Sequence, residues 1–198
     1  MGFEPMSLFW LVLTLLAYLG SRWLYRRSGR YLLSPLILVP VVLLDAPGGG
    51  FWQGALDFIR SQLEANRYIL PTDLKLVRLV YSAEEAVEEI NQFYANFHST
   101  RWLKREFVVR MNHPLSDRAL AHLQSEFASL RLSGEFQQLA YTGEEHDEPT
   151  FSHLTRLVFN FNGRDQGRLR ELVDYINLPE NWAQAQGKTQ QRVAPQPA

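Results

Sequence analysis

The chain has 198 residues, 46% hydrophobic and 21% charged, with a formal net charge of -1, enough for one ordinary domain plus an appendage. That balance sets up no global field to draw in nucleic acid, and the absence of cysteine excludes disulfides, zinc–thiolate sites and a thiol nucleophile. The composition is uneven: residues 6–44 carry only Arg22, Arg26, Arg27 and Arg30 as charged side chains, whereas beyond Asp57 charge and apolar periodicity mix.

The uncharged run of residues 5–21 reaches Tyr25 if Arg22 snorkels, which approaches the roughly 20 residues a bilayer core needs. A signal peptide carries its positive charge before the apolar core. Here Glu4 precedes the core and four arginines follow, an order that fits an uncleaved anchor. Because Lys and Arg prefer the cytoplasmic side, the anchor predicts a membrane protein with its carboxyl-terminal domain in the cytoplasm. A buried core helix is the alternative.

Residues 31–44, "YLLSPLILVPVVLL", are apolar but broken by Pro35 and Pro40, short for a second span. The end of this run is equally readable as a strand. "PVVLLDAPGGGFWQGALDFI" places β-branched and aliphatic residues before a glycine break and then helical spacing, and a parallel strand covered on both faces reads as a continuous apolar run. Glycines between a strand and a helix let backbone N–H groups approach an anion. Gly48, Gly49 and Gly50 are therefore candidate phosphate-turn residues, although three glycines also make an ordinary tight turn.

Further along, residues 54–66 predict a helix, "LKLVRLV" a strand, and "SAEEAVEEINQFYANF" a helix opened by a Ser82–Glu85 capping box, with Ala86, Val87, Ile90, Phe93 and Tyr94 on one face. "WLKREFVVRM" predicts a strand, and "SDRALAHLQSEFASL" a helix burying Leu120, Leu123, Phe127 and Leu130. "EFQQLAY" and "LTRLVFNFN" predict two strands separated by a solvated acidic loop, and "RDQGRLRELVDYIN" a closing helix. The fold class is α/β: an N-terminal transmembrane helix or hairpin, then a small α/β domain in β-α-β-β-α order with helices on one face of a largely antiparallel sheet. The expected divisions are 1–44 as membrane anchor, 45–98 as the last strand and helix of a Rossmann-like unit, 99–180 as the small domain, and 181–198 as a disordered tail.

Catalytic motifs are sparse. His98, His113, His122, His146 and His153 form no HExxH pattern, and no GxSxG elbow is present. Arg101, Lys104 and Arg105 in "HSTRWLKR", and Arg164, Arg168 and Arg170 beside Gly163 and Gly167, are residue types that contact anions, but they also serve as plain surface charge. No metal set and no cofactor is expected.

Two resemblances add to this reading. "AYLGSRWLYRRSGRYLLSPLILVPVVL" resembles the start of the LrgB family of multi-span membrane proteins. "PVVLLDAPGGGFW", "RYILPTDLKLVRLVYSAEEAVEEI", "FYANFHSTRW", "FVVRMNHPLS" and "LTRLVFNFNGRDQGRLRELVDYIN" resemble the later part of larger members of the LOG family, Rossmann-like nucleotide phosphoribohydrolases. The two meet within "VPVVLL", as a deletion joining two genes would leave them. The LOG family's catalytic signature, PGGxGTxxE with an upstream Arg, is missing: Phe51 and Trp52 follow "PGGG". The resemblance therefore implies no catalytic residue here. It implies a membrane-anchored binding or accessory module, with a full-length LOG-like homologue or a second copy as partner, or a subunit contributing to nucleotide 5′-monophosphate hydrolysis in trans. An LrgB-like membrane fragment is the remaining alternative.

Overall fold

A computed structural model describes residues 38–141 and 145–183. The chain divides into two units, residues 1–39 and 40–198, and all the strands and helices described belong to the second. Residues 1–37 of the expected anchor and 184–198 of the expected tail lie outside the described residues, while residues 181–183 of that tail are held to the body, Trp182 bridging Leu115 and the Ala183 N–H donating to the Pro114 carbonyl at 2.8 Å. Among the described residues, no helix is long and apolar enough to cross a membrane.

The question of span or strand has an answer at residues 41–44. β1 (Val41–Leu44) pairs in parallel with β2 (Val77–Val80), Val41 opposite Val77 and Leu44 opposite Val80, and the ladder continues as the Asp45 N–H donates to the Val80 carbonyl at 3.0 Å. The stretch therefore belongs with the α/β body and not with residues 1–39. It is not the strand covered on both faces that its apolar run suggests, since Val41 is 42% exposed and Leu44 50%.

Between these strands, α1 (Phe51–Phe58) runs into a π-helical turn (Ile59–Glu64). Only Val77–Val80 of "LKLVRLV" is strand, because Pro71 opens a 3₁₀ helix (Pro71–Leu76) that Asp73 holds by accepting from the Leu70 N–H at 2.9 Å. Next comes α2 (Ala83–Phe93), where Ser82 accepts from the Glu85 N–H as its spacing predicts. The Glu85 carboxylate reaches the Tyr81 N–H instead of that of Ser82.

The larger body is a four-stranded antiparallel sheet in the order β3-β4-β6-β5, formed by β3 (Phe97–Leu103), β4 (Glu106–Met111), β5 (Arg131–Leu139) and β6 (Thr155–Phe161). The single strand expected at "WLKREFVVRM" is a hairpin, turned at Lys104, whose φ is 56°. Strand alternation separates two faces. Phe107, Val109 and Met111 of β4 share one with Leu157, Phe159 and Phe161 of β6, all at most 3% exposed. α3 (Asp117–Glu126) and α4 (Gln166–Ile176) pack side by side, the ring of Tyr175 against His122 and Phe127. Their fully buried Leu123, Leu169, Leu172, Val173 and Ile176 complete the core. This core carries most of the folding free energy, since burying each such side chain contributes about 1.5–3 kcal/mol. The architecture is mixed α/β.

Two buried asparagines fix the strand–helix unit to this body. Asn177, at the end of α4, accepts from the Asn96 and Phe97 N–H groups at 2.9 and 2.7 Å and donates to the Phe93 carbonyl at 2.6 Å. Asn96 donates to the Ile176 carbonyl at 3.0 Å.

Candidate functional site

The glycine turn after β1 is the first candidate. Gly48 takes φ of 77°, open to glycine without strain, and the Gly49 N–H closes onto the Ala46 carbonyl at 2.7 Å. The helix N-terminus that a phosphate would use is already engaged. The Asp45 carboxylate accepts from the Ala46 N–H at 2.9 Å and the Trp52 N–H at 3.3 Å, and a Cβ on Gly49 would lie 2.3 Å from Asp45 Oδ1. Trp52 Nε1 donates to the Leu44 carbonyl at 3.0 Å and closes the turn from the other side. Gly48 and Gly49 thus shape a turn around the chain's own anion, and Gly50 is the cap position of α1. A phosphate placed there would meet a carboxylate.

The arginines at the start of α4 are engaged as well. Arg168 pairs with Glu171 at 2.5 Å and lies over the Phe127 ring, while buried Arg170 pairs with Glu89 at 2.5 Å and Asp174 at 2.8 Å. Lys75 also meets Glu171. Lys75, Arg168, Glu171 and Asp174 line a cleft of about 860 Å³ between the β1–β2 unit and α3 and α4.

The acidic loop expected to be solvated does something else. Arg110 and Arg156 are partners across β4 and β6, on the sheet face opposite the aromatic core, and are 2% and 3% exposed. Glu145, itself 3% exposed, bridges them: Arg110 Nη2 donates at 2.6 Å and Arg156 Nε at 2.7 Å. Glu148 accepts from Arg110 at 2.5 Å and from Arg101 at 2.8 Å, and Arg101 also reaches Asp147 at 3.0 Å. Burial pushes the Glu145 carboxyl up, and the hydrogen bonds from the two guanidiniums outweigh it and hold the group below the ordinary carboxylate range. Arg101 of "HSTRWLKR" is absorbed in this network. His98 is held below its usual range by burial and then by Arg110 and His153, and its ring packs against Phe151. The network balances three cations with three carboxylates and fastens the loop to the sheet. A lone arginine inside an apolar strand, as in "FVVRM" and "TRLVF", is the sequence signal for such a buried pair. Among the described residues no His, Asp and Glu side chains gather as a metal set.

What is left open is the parallel pair itself. Among the described residues neither edge of the β1–β2 sheet is hydrogen-bonded to a further strand, yet parallel sheets occur almost only as larger, covered sheets. Val41 and Leu44 of β1, Phe51 and Phe58 of α1 and Val87 and Ile90 of α2 are between 41% and 73% exposed. Of the expected inner face of α2, only Phe93 is fully covered, so the helix has been given half of its packing surface. Exposed apolar side chains flanking an open strand edge are the features through which a strand or helix of another chain can add to a sheet. No protein-family model, curated protein or solved structure matches this chain.

Proposed function

We propose that this chain is a non-catalytic binding or accessory module, related to the later part of the LOG-type nucleotide phosphoribohydrolases, that docks through β1 onto the parallel sheet of a partner. The observation that carries the reading is the two-stranded parallel pair with an open edge and half-exposed Val41 and Leu44. The absence of PGGxGTxxE from the sequence, and an Asp45 carboxylate where a phosphate would bind, support a role in docking over one in cleavage. The arginine-rich apolar segment before β1 supports an anchor that would hold this module at a membrane. The test is to incubate the purified full chain with nucleoside 5′-monophosphates and follow free base. No release is expected, and base release that co-purifies with the chain overturns the proposal.

A second reading shares the same edge. If β1 completes the sheet of a full-length LOG-type relative, the module contributes to that enzyme's nucleotide hydrolysis in trans. Co-elution of the two proteins, with a change in the relative's turnover, supports it. Separate elution counts against it.

A further inference from the structure

The surface beside the open edge also says what kind of partner it meets. Along α2 the helical step of about 100° per residue sets Val87, Ile90 and Tyr94 in one stripe, 55%, 41% and 41% exposed. The stripe adjoins the packed flank of Ala86 and Phe93. On the other side of that flank stands Glu89, bound to Arg78 of β2 and Arg170 of α4. Those two bonds hold the Glu89 side against β2 and α4, and leave Val87, Ile90 and Tyr94 open. Beyond the stripe come Glu84 and Glu88, both exposed, four residues apart, and met by no cation among the described residues. Like charges at that spacing weaken a helix, and a cationic neighbour relieves them.

An apolar stripe with an acidic border that no described cation meets is complementary to an apolar face with a basic border. A second copy fits less well, because an antiparallel two-fold contact along the stripe sets the two acidic borders against each other. We infer that α2 receives a cationic amphipathic helix of a different protein, its apolar side chains on Val87, Ile90 and Tyr94 and its Lys or Arg side chains on Glu84 and Glu88. The inference rests on the docking reading above and names the partner's chemistry.

Two labelled helical peptides with one shared leucine face, one bordered by lysine and one by glutamate, are titrated into the full chain and followed by fluorescence anisotropy. The lysine peptide is expected to bind about tenfold or more tightly than the glutamate peptide, the margin shrinking as salt rises. Glu84→Lys with Glu88→Lys should reverse the preference, and Ile90→Ser should weaken both peptides. These positions are exposed, and an unchanged melting curve confirms that the variants fold. Equal binding of the two peptides, no binding of either, or indifference to Ile90→Ser overturns the inference. So does a dimer in sedimentation that Ile90→Ser dissociates, since a second copy would then occupy the stripe. Co-elution with a full-length relative involves neither peptide, so failure of the docking reading is seen separately.

Discussion

Gly167 and Thr72 meet backbone to backbone: a Cβ built on Gly167 would lie 2.0 Å from the Thr72 carbonyl oxygen and 2.7 Å from the Asp73 nitrogen. The contact holds the 3₁₀ helix before β2 on the first turn of α4, and Thr72 Oγ1 adds a hydrogen bond to Asp165, the cap of that helix, at 3.0 Å. It explains why a glycine stands inside α4 despite its low helix propensity. Gly167→Ala must push the two backbones apart, and overpacking of this kind costs about 1–3 kcal/mol. The expected outcome is a lower denaturation midpoint together with faster proteolysis in residues 59–76. A variant as stable as the parent would show that the two segments are not in contact.

The loop fastened by Glu145 should respond to acid. The Glu145 carboxyl is held below its ordinary value of 4.5 in the folded chain, so its contribution to stability is fully present above that value and is lost as pH falls through the lower folded one. Asp147 follows the same direction, chiefly through its hydrogen bond from Arg101. Below about pH 4.5 hydrogen exchange in residues 145–151 should rise before the core strands open. Glu145→Gln leaves Arg110 and Arg156 buried without their shared anion and should destabilise the chain by about 3–5 kcal/mol, flattening the acid response. A Glu145→Gln chain that keeps the parent's acid profile would rule out this network as its cause.

At the glycine turn the prediction separates a self-capped turn from a ligand site. Asp45 supplies the carboxylate that the start of α1 would otherwise seek from outside. Asp45→Ala should lower stability by about 1 kcal/mol, the usual loss of a helix cap. Inorganic phosphate should not raise the melting temperature of the parent chain, because binding to the folded state alone is what produces such a rise. A phosphate-dependent rise that Gly49→Ala removes would reinstate the turn as an anion site.

Local patterns foretold local structure. The Ser82–Glu85 spacing marked the start of α2, and period-four apolar residues marked α3 and α4. The hairpin between β3 and β4 was hidden because its turn uses Lys104 and Arg105, with no glycine, asparagine or proline to signal a reversal. The buried role of Glu145 was hidden because its partners, Arg110 and Arg156, lie 35 and 11 residues away and meet it only once the sheet forms. The exposure of Val87 and Ile90 was hidden for the opposite reason: their spacing reports an amphipathic helix, and says nothing of whether the chain provides a surface to cover it.

Asn177 gives the test of how the strand–helix unit is joined to the sheet body. Its side chain is 2% exposed and makes three hydrogen bonds to backbone groups of Phe93, Asn96 and Phe97. Removing it strands two donors and one acceptor away from water, and an unsatisfied buried group carries a penalty of about 1–3 kcal/mol. Asn177→Ala should therefore destabilise by about 2–4 kcal/mol overall, since local relaxation and water entry recover part of the loss. The loss should be read in the end of α2 as well as in α4, because the Phe93 carbonyl, the acceptor of the Asn177 amide, ends α2. Hydrogen exchange should show residues 93–97 losing protection together with residues 173–177. Loss confined to α4 would mean that these bonds do not join the two parts.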